Sequence, residues 1–395
     1  MGYKLAIDFG TTNTVVAHWN EQNHAPEVVA LSELSQSVSD ANLPLIPSLV
    51  YVQNGVTGEV TIGDKVRLLE LDRQRDNRLF RNFKRGIVTS PSPEPRQIDG
   101  AMWGDREVGQ SFMRRLLDAL PQSKSEIDQL VLTAPVASFE GYLAWLNGLI
   151  TDVPEEKIRV VDESTAAALG YAVTESAAAV LVFDFGGGTL DLSLVQLPES
   201  REKTGGFLRR LLGGNANQHS AKVIAKTGRV IGGSDIDQWL VAEVLQRTGV
   251  TTQALGSNYS ALLTACEQAK IALSTALTAE IRFEAEGTPF ALTLERAELE
   301  QILEKNGFHS AIRHIVDKVM HISHRRGIFK EDIKYVLLVG GTSLMPCVQD
   351  VLRGYFSGMA VRADKPFTAV AEGALQVAAG YGLEDHLIHS YALRY

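Results

Sequence analysis

Val182-Phe183-Asp184-Phe185-Gly186-Gly187-Gly188-Thr189-Leu190-Asp191 decides the fold, because Leu5-Ala6-Ile7-Asp8-Phe9-Gly10-Thr11-Thr12-Asn13 has the same layout near the N-terminus. Each is a short apolar run that ends in an Asp, a Phe and a turn of Gly and small polar residues. Each is followed by a second strand-like run, Val15 to Trp19 in one case and Leu190 to Val195 in the other. Strand, tight glycine turn, strand is the layout of a β-hairpin. One such hairpin carries little information. Two, at corresponding places in two chain halves, predict a duplicated fold whose halves face a shared cleft.

Length and charge bound the rest. A chain of 395 residues is too long for one compact core and suits two lobes. A net charge of -9 argues against nucleic acid or an anionic membrane as the main partner. The two cysteines, Cys266 and Cys347, are expected as buried reduced thiols, since nothing looks secreted. No apolar run is long enough to span a bilayer. Met1-Gly2-Tyr3-Lys4 leads straight into a strand, not a signal peptide, and Ala6 stands where a myristoylation signal needs Ser or Thr. A cytoplasmic location is expected.

Strands alternate with helices along the chain, which predicts an α/β fold with mixed sheets. Residues 59–86 are charged and read as helical. Pro91, Pro93 and Pro95 mark a loop over 87–100. Helices are expected over 108–120, 164–172 (with Ser164 or Thr165 as cap), 259–273, 295–304, 309–325 and 368–380. Strands are expected over 130–133, 279–285, 289–294 and 335–339. Residues 198–220 form a polar, basic excursion. Its Arg201, Lys203, Arg209 and Arg210, interleaved with Phe207, Leu208, Leu211 and Leu212, suit either a solvated loop or a contact helix for a partner or membrane.

A chemistry follows from the two turns. A nucleoside triphosphate presents a row of anionic oxygens and a hard Mg2+ ion. Glycine turns let backbone N–H groups approach such oxygens closely. Gly10, Thr11, Thr12 and Asn13 supply one turn, and Gly186, Gly187, Gly188 and Thr189 the other. Mg2+ keeps several waters, which one or two carboxylates can hold. Asp8 and Asp184 stand at equivalent places and suit that task, and Asp191 can join them. Glu267, Lys270 and Ser274 fall at i, i+3 and i+7 and share one helix face.

The full series resembles the actin, sugar-kinase and heat-shock ATPase superfamily. The similar segments are Asp8 to Asn13, Asp162 to Leu169, Asp184 to Asp191, Ile231 to Asp237 and Leu337 to Ser343. Glu267 to Ser274 is similar to the 70-kDa heat-shock (DnaK-type) chaperones in particular. The resemblance implies an α/β, duplicated actin-like ATPase (ribonuclease H-like) fold with two lobes, each a mixed β-sheet flanked by helices, and a nucleotide cleft between them. Lobe I would span 1–178, with a core of 1–35 and 106–178 and a peripheral part of 36–105. Lobe II would span 179–384, with a core of 179–230 and 307–384 and a peripheral part of 231–306. Residues 385–395 would be a linker or the start of a further domain.

The resemblance also implies roles. ATP or ADP with Mg2+ would be the ligands, and slow ATP hydrolysis the activity. Gly10 to Asn13 and Gly187 to Thr189 would wrap the phosphates, with Gly186 opening the second turn. Glu163 would orient the attacking water and Lys84 would offset γ-phosphate charge. Glu267, Lys270 and Ser274 would hold ribose and adenine. Gly232-Gly233 and Gly340-Gly341, with Thr342 and Ser343, would close over the nucleoside. A co-chaperone, a nucleotide-exchange factor and an unfolded client held by a further C-terminal domain are the implied partners.

Three positions depart from the family pattern. Leu344 replaces an arginine over the adenine. Pro366-Phe367-Thr368 stands where an acidic residue is expected. Pro135 matches the family's relay proline, but Leu143 replaces the arginine eight residues on. A filament-forming actin-like protein, a sugar kinase and a nucleotide-binding pseudoenzyme are the alternative readings.

Overall fold

The computed structural model describes residues 3–38, 42–74, 76–89, 91–135, 139–146, 149–150, 152–171, 178–197 and 221–379. The basic excursion at 198–220 and the C-terminal segment 385–395 lie outside the described residues.

The repeat read from sequence is a repeat of topology. In lobe I, β1 (Tyr3–Phe9) pairs antiparallel with β2 (Asn13–Asn20), and β2 with β3 (Ala25–Val28). On its other side β1 pairs parallel with β4 (Ile127–Ala134), and β4 with β5 (Ile158–Asp162). In lobe II, β6 (Ala179–Phe185), β7 (Leu190–Gln196), β8 (Lys222–Arg229), β9 (Ile333–Val339) and β10 (Ala360–Arg362) repeat this order. The orders β3-β2-β1-β4-β5 and β8-β7-β6-β9-β10 therefore correspond strand for strand, in direction as well. Even the register slips at the same place, after the first residue of β1 and of β6. Two further short strands, Gln36–Val38 and Leu43–Pro47, extend the lobe I sheet beyond β2.

Alternation within the first strands places the site. Ile7 and Phe9 of β1, and Phe183 and Phe185 of β6, are buried, while Asp8 and Asp184 between them are only half-buried. A strand sends neighbours to opposite faces. One face of each hairpin thus anchors in the core of its own lobe, and an acid remains at its cleft end.

The lobes meet through two helices that follow the last sheet strands. Helix α3 (Glu163–Gly170) crosses α6 (Ala369–Ala378). Both are rich in Ala and Gly and pack into one apolar cluster with Ala6 and Val15 of lobe I and Val180 and Val182 of lobe II. The approach is backbone to backbone. A Cβ on Gly170 would lie 1.7 Å from the carbonyl oxygen of Ala369, and one on Gly373 1.7 Å from that of Ala166. The helix begins at Asp162, whose Oδ1 accepts from the Thr165 N–H at 2.8 Å, so Asp162 is the cap and not Ser164 or Thr165.

The reading of 59–86 as helical does not hold. The segment holds strands Glu59–Ile62 and Leu79–Arg81, one helical turn Lys65–Leu68, a 3-10 turn and the start of α1 (Phe83–Val88). The strands flank Leu49–Asn54 in a small sheet, where pairing overrides a charge-rich composition. Cys266 and Cys347 are free and buried, as expected.

The α3–α6 crossing is checked by two substitutions. Gly373→Ala inserts a methyl against fixed backbone and should cost about 3 kcal/mol or more in urea unfolding. Gly354→Ala, on a helix with nothing within 4 Å of the added carbon, should instead stabilise by about 0.5–1 kcal/mol. Equal effects at both positions would remove the crossing as a constraint.

Candidate active site

Lys84 is the hub. Asn82 adopts a left-handed φ of 59°, turning the chain from strand Leu79–Arg81 into α1, and Phe83 is buried as its anchor. Lys84 then reaches Glu163, at the first turn of α3, with Nζ 2.8 Å from Oε1. The two side chains are only 10% and 14% exposed. Asp8, Asp184 and Asp191 face the same charges. Thr133 of β4 donates to Asp8 Oδ1 at 2.7 Å, and Thr189 hydrogen bonds to Asp191.

The pKa directions agree on one crowded anionic site. Burial, then the Glu163 charge, raises Asp8 to about 6 although Lys84 and Thr133 pull it down. Burial raises Asp191 to about 6. Asp184 is pushed well above the usual carboxylate range by burial, Glu163, Asp191 and Asp8 in turn. Burial lowers the Lys84 ammonium's affinity for its proton, but Glu163, Asp8 and Asp184 outweigh it and the pKa rises. Too many carboxylates thus share one ammonium, which is the donor chemistry that welcomes a hard cation.

The two glycine turns face each other. A Cβ on Gly187 would fall 1.8 Å from the Thr12 hydroxyl, and one on Gly188 2.7 Å from that of Thr11. The Gly10 carbonyl, at the other turn, accepts from the Ser48 hydroxyl at 2.8 Å. A narrow cleft is walled by Thr11, Thr12, Arg81, Ser234, Asp237 and Glu267 among others. Asn13 lies nearby and accepts from Gln36. Gly232 and Gly233 begin α4 (Gly233–Thr248), and the Gly233 and Ser234 N–H groups donate to the carbonyls of Gly186 and Gly187. Thr342 also donates to Gly186 O, at 2.9 Å, and Ser343 to Gly340 O. Gly340 has φ +78°, a backbone state that favours glycine.

The family follows from a comparison over the same region. The model described as Hsp70 protein matches residues 155–384, more than half of the chain. The chain belongs to the Hsp70 family. It is 28% identical over 388 residues to the chaperone protein DnaK of Thermosipho africanus, with 94% of this chain and 58% of that relative covered. The DnaK proteins of Thermosipho melanesiensis and Thermotoga petrophila are 27% and 26% identical at the same coverage. The chain therefore spans 58% of the length of these curated relatives.

In this Hsp70 member Lys270, on α5 (Tyr259–Ala272), is 2.7 Å from Asp237 Oδ1 and donates to Gly233 O at 3.0 Å. Glu267 lines the cleft, whereas Ser274 lies in a separate small hollow with Arg296 and Met345. Phe367 packs its ring edge at Gly341, 3.1 Å from where a Cβ would stand. Leu143 is half-buried on α2 (Phe139–Leu146).

Several residues escaped sequence reasoning. Arg81 donates across the cleft to Thr264 Oγ1 at 3.0 Å, Asn82 accepts from Ser234 at 2.9 Å, and Arg85 pairs with Asp235 at 3.3 Å. The stretch that carries Lys84 thus also bridges the lobes. Its clustered polar residues were the available signal, but their partners are more than a hundred residues away. Among the described residues no helix is long and apolar enough to cross a membrane.

A pH-dependent consequence follows. An acid with a raised folded pKa supports folding below its unfolded pKa, and that support is lost as pH rises through the folded value. For Asp8 the window is about pH 4 to 6. Without Mg2+ or nucleotide, Asp8→Asn should melt about 2–4 °C above the parent at pH 7.5, with the gap closing toward pH 4. A gap of the same size at both pH values in scanning calorimetry would contradict this.

Proposed function

We propose that the chain is an ATP-binding, slowly ATP-hydrolysing nucleotide-switch domain of an Hsp70-type chaperone. The observation that carries the reading is the Lys84–Glu163 pair, 2.8 Å apart, set among Asp8, Asp184 and Asp191. Family membership supports the chemistry.

Gly10, Thr11, Thr12 and Asn13 would hold the phosphates from lobe I, and Gly186, Gly187, Gly188 and Thr189 from lobe II. Asp8, Asp184 and Asp191 would hold Mg2+ through its waters. Among the described residues no three acid, His or Cys side chains converge to ligate a metal directly, and water-mediated holding suits this ion. When bound, Mg2+ would offset phosphate charge. Lys84 would turn from Glu163 toward the γ-phosphate oxygens, where its charge acts on the transition state. Glu163, released from that pair, would orient the attacking water and take its proton. Glu267 would receive the ribose. Lys270, held by Asp237, would brace Gly233, while Gly232, Gly340, Gly341, Thr342 and Ser343 would frame the nucleoside. Leu344 in place of a stacking arginine would cost roughly 0.5–2 kcal/mol of base affinity.

Hydrolysis would act as a switch. A nucleotide moves two states apart only through different affinity for each. Arg81, Asn82 and Arg85 make contacts that exist only with the lobes together, so cleft opening breaks them. A co-chaperone or exchange factor would act on that opening, in a cytoplasmic setting. The Hsp70 match favours this reading over a filament-forming protein or a sugar kinase.

Lys84→Met and Glu163→Gln are the test. Each should bind ATP within about threefold of the parent and hydrolyse it about 100-fold more slowly, measured by calorimetry and phosphate release. Unchanged turnover in both would remove the assignment; a parent that binds ATP and never hydrolyses it would make the chain a pseudoenzyme.

A further inference from the structure

Tyr142 stands on α2 with 1% of its surface exposed. Its hydroxyl finds no hydrogen-bond partner among the described protein groups. An orphaned buried hydroxyl is expensive, so its presence needs a reason. The neighbouring Trp145, 5.3 Å away ring to ring, has its own N–H satisfied by the Arg106 carbonyl at 3.2 Å. The local packing therefore does not forbid satisfied aromatic polar atoms.

What Tyr142 adjoins is the reacting end of the cleft. Its ring centre is 5.7 Å from Lys84 Nζ, and the Phe9 ring is also 5.7 Å from it. The ammonium is thus held by two aromatic faces as well as by Glu163, the kind of contact a desolvated cation favours. Burial, followed by the charges of Glu163 and Asp8, keeps the phenol protonated well above its ordinary range. It is therefore a protonated donor that feels the charges of Glu163 and Asp8 without a direct hydrogen bond to either.

We propose that Tyr142 is a positioning residue for hydrolysis: its ring keeps Lys84 beside Glu163, and its hydroxyl donates to the water that Glu163 orients. The inference rests on the reading of Lys84 and Glu163 given above. A water bonded to Glu163 and to the Tyr142 hydroxyl is fixed at two points, which restricts its approach to the phosphate and satisfies the phenol. The tyrosine keeps its proton throughout; the proton released by water goes to Glu163.

Tyr142→Phe keeps the ring and removes the hydroxyl. Tyr142→Leu removes both. In single-turnover hydrolysis, Tyr142→Phe should slow the step about three- to tenfold with ATP affinity within twofold and no loss of thermal stability. Tyr142→Leu should be slower still. A Tyr142→Phe protein that hydrolyses at the parental rate, or one whose rate, affinity and melting point fall together, would overturn the proposal. Lys84→Met and Glu163→Gln, run alongside, separate the levels. If they abolish turnover while Tyr142→Phe does not slow it, only the Tyr142 role fails. If they too leave turnover unchanged, the parent reading fails first.

Discussion

Drawing Asp8, Glu163, Asp184 and Asp191 together around the Lys84 ammonium is electrostatically costly, and the rest of the molecule is arranged to sustain it. A buried ion pair such as Lys84–Glu163 gains little net stability over apolar packing. Three further carboxylates beside it make the ligand-free site less stable still. Such a site is stable enough to persist only when the scaffold fixes its members from several directions. Here those directions are β1, β6, α1 and α3, which reach the cleft from both lobes. The strain that the site stores in its ligand-free form is what a bound cation and polyphosphate would relieve.

The scaffold is a duplication joined at a helix crossing. Equivalent five-strand orders deliver Asp8 and Asp184 to the ends of equivalent strands. Equivalent helices, α3 and α6, then follow the last strands and cross at Gly170 and Gly373. Because the crossing is backbone against backbone, the sheets approach closely enough for the two glycine turns to face each other. The bridging contacts of Arg81, Asn82 and Arg85 differ from that apolar crossing in character: they are polar and made by the stretch that holds Lys84. One short stretch, Arg81-Asn82-Phe83-Lys84-Arg85, thus carries both Lys84 and the contacts that bridge the lobes.

Much of this was legible in the sequence, and for local reasons. An Asp followed by Phe and a glycine turn between two apolar runs leaves few alternatives to a hairpin, and its repetition exposed the duplication. The Ala-rich helices announced themselves in the same way. Residues 59–86 did not, because their strands are only three or four residues long and both depend on pairing with Leu49–Asn54, outside the segment. Lys84 could be placed by resemblance alone, since a lysine among arginines carries no signal of its own. The Lys270–Asp237 pair and the Thr133–Asp8 bond depend on contacts far apart in the chain, and no local pattern reports them. Tyr142 carries no signal in the sequence, because its distinguishing feature, a buried hydroxyl without a partner among the described residues, exists only in three dimensions.

The central claim is that this anionic site takes a polyphosphate together with a divalent cation. Titration calorimetry of the unmodified protein with ATP, once with Mg2+ and once with excess EDTA, measures it directly. The account predicts saturable one-to-one binding that weakens at least about tenfold, or roughly 1.4 kcal/mol, when the cation is removed. Binding of equal strength in both solutions, or none in either, would contradict it.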